Sequence, residues 1–287
     1  MFLRPSRIGL LGGAGLLVVV WIAVLTLLPS IGASALLHPA RRHIATPAPD
    51  GCRTRSVDAA GVTLTGWSCD ARPPGQATIV YLHGVADNRA SGVGLIHRFV
   101  PRGWNVVAFD SRGHGDSGGD TCTYGFFEQD DLQRVIDTVP RGPIVLVGNS
   151  LGAAVALQEA AHDPRVTAIV AIAPFSDLRT IATERAPFVF THAAIERAFA
   201  LAETTAHFRV DAVSPVSAAR GIVVRALLVH GDADVDTPPA HSARILNALG
   251  GPKQLILVPG LHHNDALPVA VWDEIERWIA ATLVRRA

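Results

Sequence analysis

The chain has 287 residues, 49% of them hydrophobic and 17% charged, with 25 Lys and Arg balanced by 25 Asp and Glu. That length and apolar content can bury one large core, which suits a single globular domain behind a non-globular N-terminus. A formal charge of zero leaves no basic field to draw in nucleic acid, and it favours small-molecule or lipid-like substrates over polyanions.

Ile8 to Leu28 is a run of 21 residues without a charge, and a bilayer-spanning helix needs about 20. Arg4 and Arg7 precede it and favour an N-in orientation, while Arg41 and Arg42 on the far side weaken that bias. Two readings stand: an uncleaved signal anchor, or a signal peptide cut after Ala33-Ser34-Ala35. The run exceeds the about 7–15 apolar residues of a secretory signal, which favours the anchor. Either way the globular part is expected outside the cytoplasm, membrane-anchored in the first case and secreted or periplasmic in the second. Residues 1–35 therefore form one unit of the expected organisation.

Leu36 to Pro49 is interrupted by Pro and Arg and reads as a juxtamembrane linker. Val57-Asp58 and Val62–Thr65 flank the turn Ala59-Ala60-Gly61, predicting a hairpin that sets Cys52 and Cys69 nearly opposite one another. A disulfide there suits an oxidising compartment; unpaired thiols are the alternative, with Cys122 as the third cysteine. Linker and hairpin together occupy 36–75.

From residue 76 to the C-terminus, apolar strands alternate with helices, which implies a mostly parallel sheet covered on both faces, an α/β fold. The predicted strands are Thr78–Leu82, Asn105–Phe109, Pro143–Val147, Val166–Ile172, Arg225–Val229 and Gln254–Val258. The predicted helices are Gly94–Val100, Phe126–Val139, Leu151–His162, Pro239–Leu249 and Pro268–Leu283. Between Ala173 and Gly221 the alternation lapses and Phe175, Phe188, Phe190, Phe199 and Phe208 accumulate. This segment, about 174–222, is expected to be a helical cap whose aromatic residues either roof a pocket or pack the cap's own small core.

Gly148-Asn149-Ser150-Leu151-Gly152 lies between a strand and a helix made of small residues. A tight strand-to-helix reversal needs glycine on both sides of a serine held in a strained conformation, and it leaves the hydroxyl exposed at a helix N-terminus. An unassisted serine hydroxyl is a poor nucleophile, so the motif calls for a base and an acid elsewhere. The strand ending at Val229 opens into His230-Gly231-Asp232-Ala233-Asp234-Val235-Asp236, and the strand ending at Val258 into Pro259-Gly260-Leu261-His262-His263. Both loops fall at the C-terminal edge of the sheet, where open α/β sheets place their sites. Asp234 and Asp236 compete for the acid, and His262 and His263 for the base, since neighbours in an extended loop face opposite ways. For the oxyanion, the backbone N–H of Leu151 is joined by that of Val85, in the loop His83-Gly84-Val85 after an earlier strand.

The order Ser, Asp, His, with His83-Gly84, Phe109-Asp110-Ser111-Arg112-Gly113-His114-Gly115-Asp116-Ser117-Gly118, the elbow, His230-Gly231-Asp232-Ala233-Asp234 with Pro238, and Gly260-Leu261-His262-His263, resembles the α/β-hydrolase superfamily. The resemblance is closest to the membrane-anchored Bem46-like and ABHD-like serine hydrolases and to the serine aminopeptidase-like set, and it covers about Ala77 to the C-terminus. It implies an α/β-hydrolase fold, Asp234 as the acid and His263 as the base. Serine in place of aspartate at the elbow argues against dehalogenase and epoxide-hydrolase chemistry, leaving acyl transfer to water.

The alternating Asp232, Asp234 and Asp236 also invite calcium, but an EF-hand would want Gly and Glu where Thr237 and Ala243 stand. The Gly-rich loop from Gly113 lacks the Lys-Ser/Thr ending of a phosphate cradle. His83, His114 and His230 read as structural hydrogen-bonders, and Asp232 as a residue that ties down loop N–H groups. The expectation is thus an esterase or thioesterase acting on small or lipid-like acyl groups, with no metal or organic cofactor. An amide hydrolase would need an acid such as Glu184, Glu196 or Glu203 to hold a substrate ammonium, and a non-catalytic binding module is the remaining alternative.

Overall fold

A computed structural model describes residues 21, 26–71, 75 and 77–284. Most of the apolar run Ile8–Leu28 lies outside these residues; among the described residues no helix is long and apolar enough to cross a membrane. One helix, α1, covers 26–37. It carries Leu36 and Leu37 in helical conformation, two residues into the expected linker.

Among the described residues one sheet holds eight strands: β1 (Cys52–Ala59), β2 (Val62–Cys69), β3 (Ala77–Leu82), β4 (Trp104–Phe109), β5 (Ile144–Asn149), β6 (Val166–Ile172), β7 (Arg225–Gly231) and β8 (Lys253–Val258). Their order across the sheet is β1-β2-β4-β3-β5-β6-β7-β8. β3 to β8 run parallel, and the β1–β2 hairpin adds antiparallel to the outer side of β4. The helices are α2 (Val93–Phe99), α3 (Glu128–Asp137), α4 (Leu151–Ala160), α5 (Leu178–Glu184), α6 (His192–Ala206), α7 (Pro215–Ala219), α8 (Ala240–Ala248) and α9 (Val269–Val284).

Strand side chains alternate between two cores, as the period of two requires. Val80, Leu82, Leu146 and Ile169 face α3, α4, α7 and α8, whereas Ile79, Tyr81, Val145 and Val170 face α2 and α9. All ten residues of α4 are buried, so its Ala-rich composition reflects a helix wedged among β3, β5, β6 and its neighbours rather than an exposed face. Between β6 and β7 the chain forms α5, α6 and α7. Of these, α7 joins the main core, while α5 and α6 make a third apolar cluster with α1. Phe175, Phe199 and Phe208 are buried in or beside that cluster, whereas Phe188 is fully exposed.

The hairpin register sets Cys52 directly against Cys69, and the two are joined in a disulfide. Cys122 is a free, buried thiol. Closing a loop with a sequence separation of 17 removes chain entropy from the unfolded state worth about 3 kcal/mol. The Cys52→Ser/Cys69→Ser double variant is therefore expected to unfold at lower denaturant concentration by an equivalent amount. Equal midpoints with and without the bridge would show that it adds nothing to stability.

Candidate active site

The reversal from β5 into α4 sets the position of Ser150. Ser150 has φ 50° and ψ −110°, a left-handed conformation that costs a residue with a Cβ about 1–3 kcal/mol. Its neighbours explain why the strain persists. A Cβ on Gly148 would overlap the carbonyl of Gly152, and one on Gly152 would overlap the carbonyl of Leu82 on β3. Ser150 N donates to the Ile172 carbonyl at 2.8 Å, tying the apex to the end of β6.

The loops after β7 and β8 close on this apex. Ser150 Oγ lies 3.0 Å from His263 Nε2, and His263 Nδ1 lies 2.6 Å from Asp234 Oδ2. Asp234 is 3% exposed, and Asp236, its competitor in sequence, is solvent-facing. The Asp234 carboxylate also accepts from the backbone N–H groups of Asp236 and Thr237, at 3.0 and 2.8 Å, and sits 3.3 Å from His230 Nε2. Burial alone would raise its pKa; the hydrogen bonds from His230, His263 and Thr237 outweigh burial and hold it well below the usual carboxylate range. An ionised carboxylate only accepts, so His263 Nδ1 carries the proton and Nε2 offers its lone pair to the Ser150 hydroxyl. Of the adjacent histidines, His262 is exposed and His263 completes the chain of hydrogen bonds.

Of the histidines expected to be structural, His230 and His83 have partners at both ring nitrogens. His230 Nε2 donates to the Thr237 carbonyl at 2.7 Å, so its Nδ1 accepts from Ser242 Oγ at 2.6 Å. His83 Nδ1 donates to the Gly84 carbonyl at 2.7 Å, and Nε2 accepts from Ser111 N at 2.9 Å. Burial and the neighbouring His114 push its pKa down to about 4, so it stays neutral. The Gly84 carbonyl and the Val85 N–H belong to one planar trans peptide and point opposite ways. By holding that carbonyl, His83 turns the Val85 N–H away from itself. Gly84 comes close to Ser150, since a Cβ there would stand 3.6 Å from Ser150 Cβ. Leu151 is the first residue of α4, and the first N–H groups of a helix have no partner within it. Asp232 Oδ1 accepts from Gly260 N at 2.7 Å, which ties the loop after β7 to the loop after β8.

Two cavities meet at Ser150. One, of about 330 Å³, is apolar and is lined by Tyr124, Phe175, Leu178, Phe190 and Phe199 along with Val85 and Leu151. The other is polar, with Arg42, Asp87, Glu184, Arg185 and Asp236 on its walls and His263 beside Ser150. Of the cap acids, Glu196 is paired with Arg179 at 2.7 Å and Glu203 accepts from Val210 N at 2.9 Å. Glu184 faces the polar cavity but bonds His241 Nε2 at 2.8 Å. His241 Nδ1 in turn contacts the buried Ser176 Oγ at 2.8 Å, a cluster that carries no motif in the sequence. Among the described residues no group of His, Cys, Asp or Glu is arranged to hold a metal.

Residues 73–203 match the family model described as serine aminopeptidase, S33. The chain is 32% identical to YqkD of Bacillus subtilis over 199 residues, 65% of this chain and 64% of that protein, just under two thirds of its length. It is 30% identical to YfhR of Escherichia coli over 234 residues, 76% of each chain. Its fold is similar to that of the Pyrococcus furiosus esterase Pf2001, with a TM-score of 0.68 at 22% identity, covering 86% of this chain and 98% of the other.

Asp234 has a depressed pKa in the folded state, so its stabilising contribution is complete above its ordinary value of 3.8 and is lost as pH falls through the lower folded value. The stability difference between the protein and Asp234→Asn is expected to hold constant from neutral pH down to about 5 and to shrink only in stronger acid. Denaturant titrations across that range would contradict the assignment if the difference faded near neutrality. Gly148→Ala is expected to destabilise the fold by about 1–3 kcal/mol or more, because the clash is with backbone.

Proposed function

The chain belongs to the α/β-hydrolase superfamily, and from that premise we propose that it is a serine hydrolase that cleaves carboxylic esters or thioesters of small or lipid-like acyl groups. The observation that carries this reading is the hydrogen-bonded line from Asp234 through His263 to Ser150, ending where an apolar cavity meets a polar one. In this mechanism the acyl chain enters the apolar cavity and the alcohol or thiol side faces the polar one.

His263 Nε2 takes the Ser150 proton as Oγ attacks the carbonyl carbon. The N–H groups of Val85 and Leu151 hold the oxyanion, a contribution of about 2.7–4 kcal/mol per donor in comparable sites. Asp234 keeps His263 in the reactive tautomer and stabilises the imidazolium. The tetrahedral intermediate then expels the leaving group, which receives its proton from His263. Water, deprotonated by the same imidazole, attacks the acyl-serine and frees the acid. The cycle needs only these side chains and backbone N–H groups.

A second reading, an amide hydrolase of aminopeptidase type, draws on Glu184, whose carboxylate faces the polar cavity beside Ser150. Its bond to His241 and the nearby Arg244, at 3.7 Å, offset the charge that would hold a substrate ammonium, and so favour the ester reading. We also propose that residues 8–28 anchor the chain to a membrane with the catalytic part outside the cytoplasm, a reading supported by their charge-free composition and by the Cys52–Cys69 disulfide.

A fluorophosphonate probe is expected to label the protein and to lose its target in Ser150→Ala; undiminished labelling of that variant would remove Ser150 from the mechanism. On p-nitrophenyl esters, kcat/KM is expected to rise with each methylene until the cavity is filled. The upper bound is about fourfold per methylene, from about 0.8 kcal/mol of burial. Faster turnover of aminoacyl anilides than of esters would favour the amide reading instead. Alkaline carbonate extraction should leave the full chain with the membranes, and its release into the supernatant would contradict an anchor.

A further inference from the structure

One wall of the apolar cavity comes from residues that precede the hydrolase domain. Ile31, Gly32, Ala35 and Leu36 of α1 line it together with Phe190 and Phe199 of the cap. Their spacing places them on one helical face. The adjacent face, Ala33 and Leu37, is buried in the apolar cluster that contains Phe175, Leu178 and Phe199. A Cβ on Gly32 would stand 2.9 Å from Phe190 Cε1 and 3.0 Å from Ala198 Cβ, so the α1 backbone lies against α6 with no room between.

The residues that follow α1 hold it in place. The Leu37 carbonyl accepts from Cys122 N at 2.8 Å, and His38 Nδ1 donates to the Asp120 carbonyl at 2.8 Å. Arg41 donates to the carbonyls of Gly113 and Gly119. Asn88 Nδ2, just beyond the Val85 loop, donates to the Arg42 carbonyl at 2.9 Å. Residues 37–42 are thus pinned both to the glycine-rich loop and to the loop that bears Val85.

We propose that α1 is a specificity-determining part of the active site: its Ile31–Leu36 face holds the acyl chain of the ester whose carbonyl lies at Ser150. The proposal rests on the acyl-hydrolase reading above. It places chain-length selectivity partly on residues outside the 76–287 domain. It also decides between the two fates of the N-terminus. A cut after Ala35 would remove Ile31, Gly32, Ala33 and Ala35, taking the wall from the cavity and a buried residue from the cap cluster, so the working enzyme keeps α1.

The test uses the full chain in detergent with p-nitrophenyl acetate, butyrate, octanoate and palmitate. Ala35→Trp puts an indole on the cavity wall and is expected to lower the ratio of kcat/KM for octanoate to that for acetate by about tenfold or more, mostly through KM. Fluorophosphonate labelling reports whether the site of the variant is intact. Should Ala35→Trp fail to fold, Ile31→Asp carries the same test, because position 31 is 56% exposed and tolerates a charge while its side chain borders the cavity. A ratio within twofold of the parent in a labelled variant would overturn the proposal, since a purely structural α1 would leave chain-length preference unchanged. Recovery from the host of active enzyme that begins at Leu36 would also overturn it. Absence of labelling in the parent protein would instead defeat the serine-hydrolase reading itself.

Discussion

Ser150 keeps its strained backbone because the chain has nowhere else to go. β5 enters the turn with β3 on one side and β6 on the other, and α4 leaves it packed against all three strands. With the Gly152 carbonyl against Gly148 and the Leu82 carbonyl against Gly152, the reversal fits only if both flanking residues lack a Cβ. The buried surface of α4 supplies the stabilisation that offsets about 1–3 kcal/mol of local strain. The hydroxyl is thereby fixed at the rim of the sheet, where the loops after β3, β7 and β8 also arrive.

Those loops are held by buried polar groups. The Asp110 carboxylate accepts from Arg89 N at 2.7 Å and from Asp116 N at 2.8 Å, and it pairs with the Arg89 guanidinium. A Cβ on Gly115 would overlap that carboxylate, so glycine is required where the loop folds over it at φ 48°. Arg112 forms a two-pronged pair with Asp131 at 2.6 Å on each arm, joining the same loop to α3. Removing one partner of such a buried pair costs about 3–5 kcal/mol because the other charge is stranded. Through Asn88 and Arg41, this network also positions residues 37–42, so the Val85 loop and the N-terminal strap share one foundation.

The parallel sheet, the chain order Ser, Asp, His and the elbow were legible in the sequence because each is written locally: apolar strands of regular length, glycine where backbone approaches backbone, and a polar loop at each strand end. The strand bounds differ from expectation by one or two residues, as at Ile144–Asn149, because ladder pairing with β6 continues through Gly148 and Asn149. The choice of Asp234 over Asp236 was open from the residues alone, since burial and not spacing distinguishes them. The place of α1 in the cavity wall was not legible at all. Leucine, isoleucine and glycine read the same to a hydropathy pattern whether they face lipid or a cap, and the contact of Gly32 with Phe190 joins residues 158 positions apart. The Ser176, His241 and Glu184 cluster was hidden for the same reason, its members lying on the loop after β6, on α8 and on α5.

In the proposed mechanism these loops make Ser150 a nucleophile that carries the acyl group through turnover. Mass spectrometry of the protein acid-quenched during turnover of a slowly deacylating ester tests it most directly. A mass increase equal to one acyl group, located on the peptide containing Ser150, is expected. Steady hydrolysis with no adduct, or with the acyl group on any other residue, would contradict it.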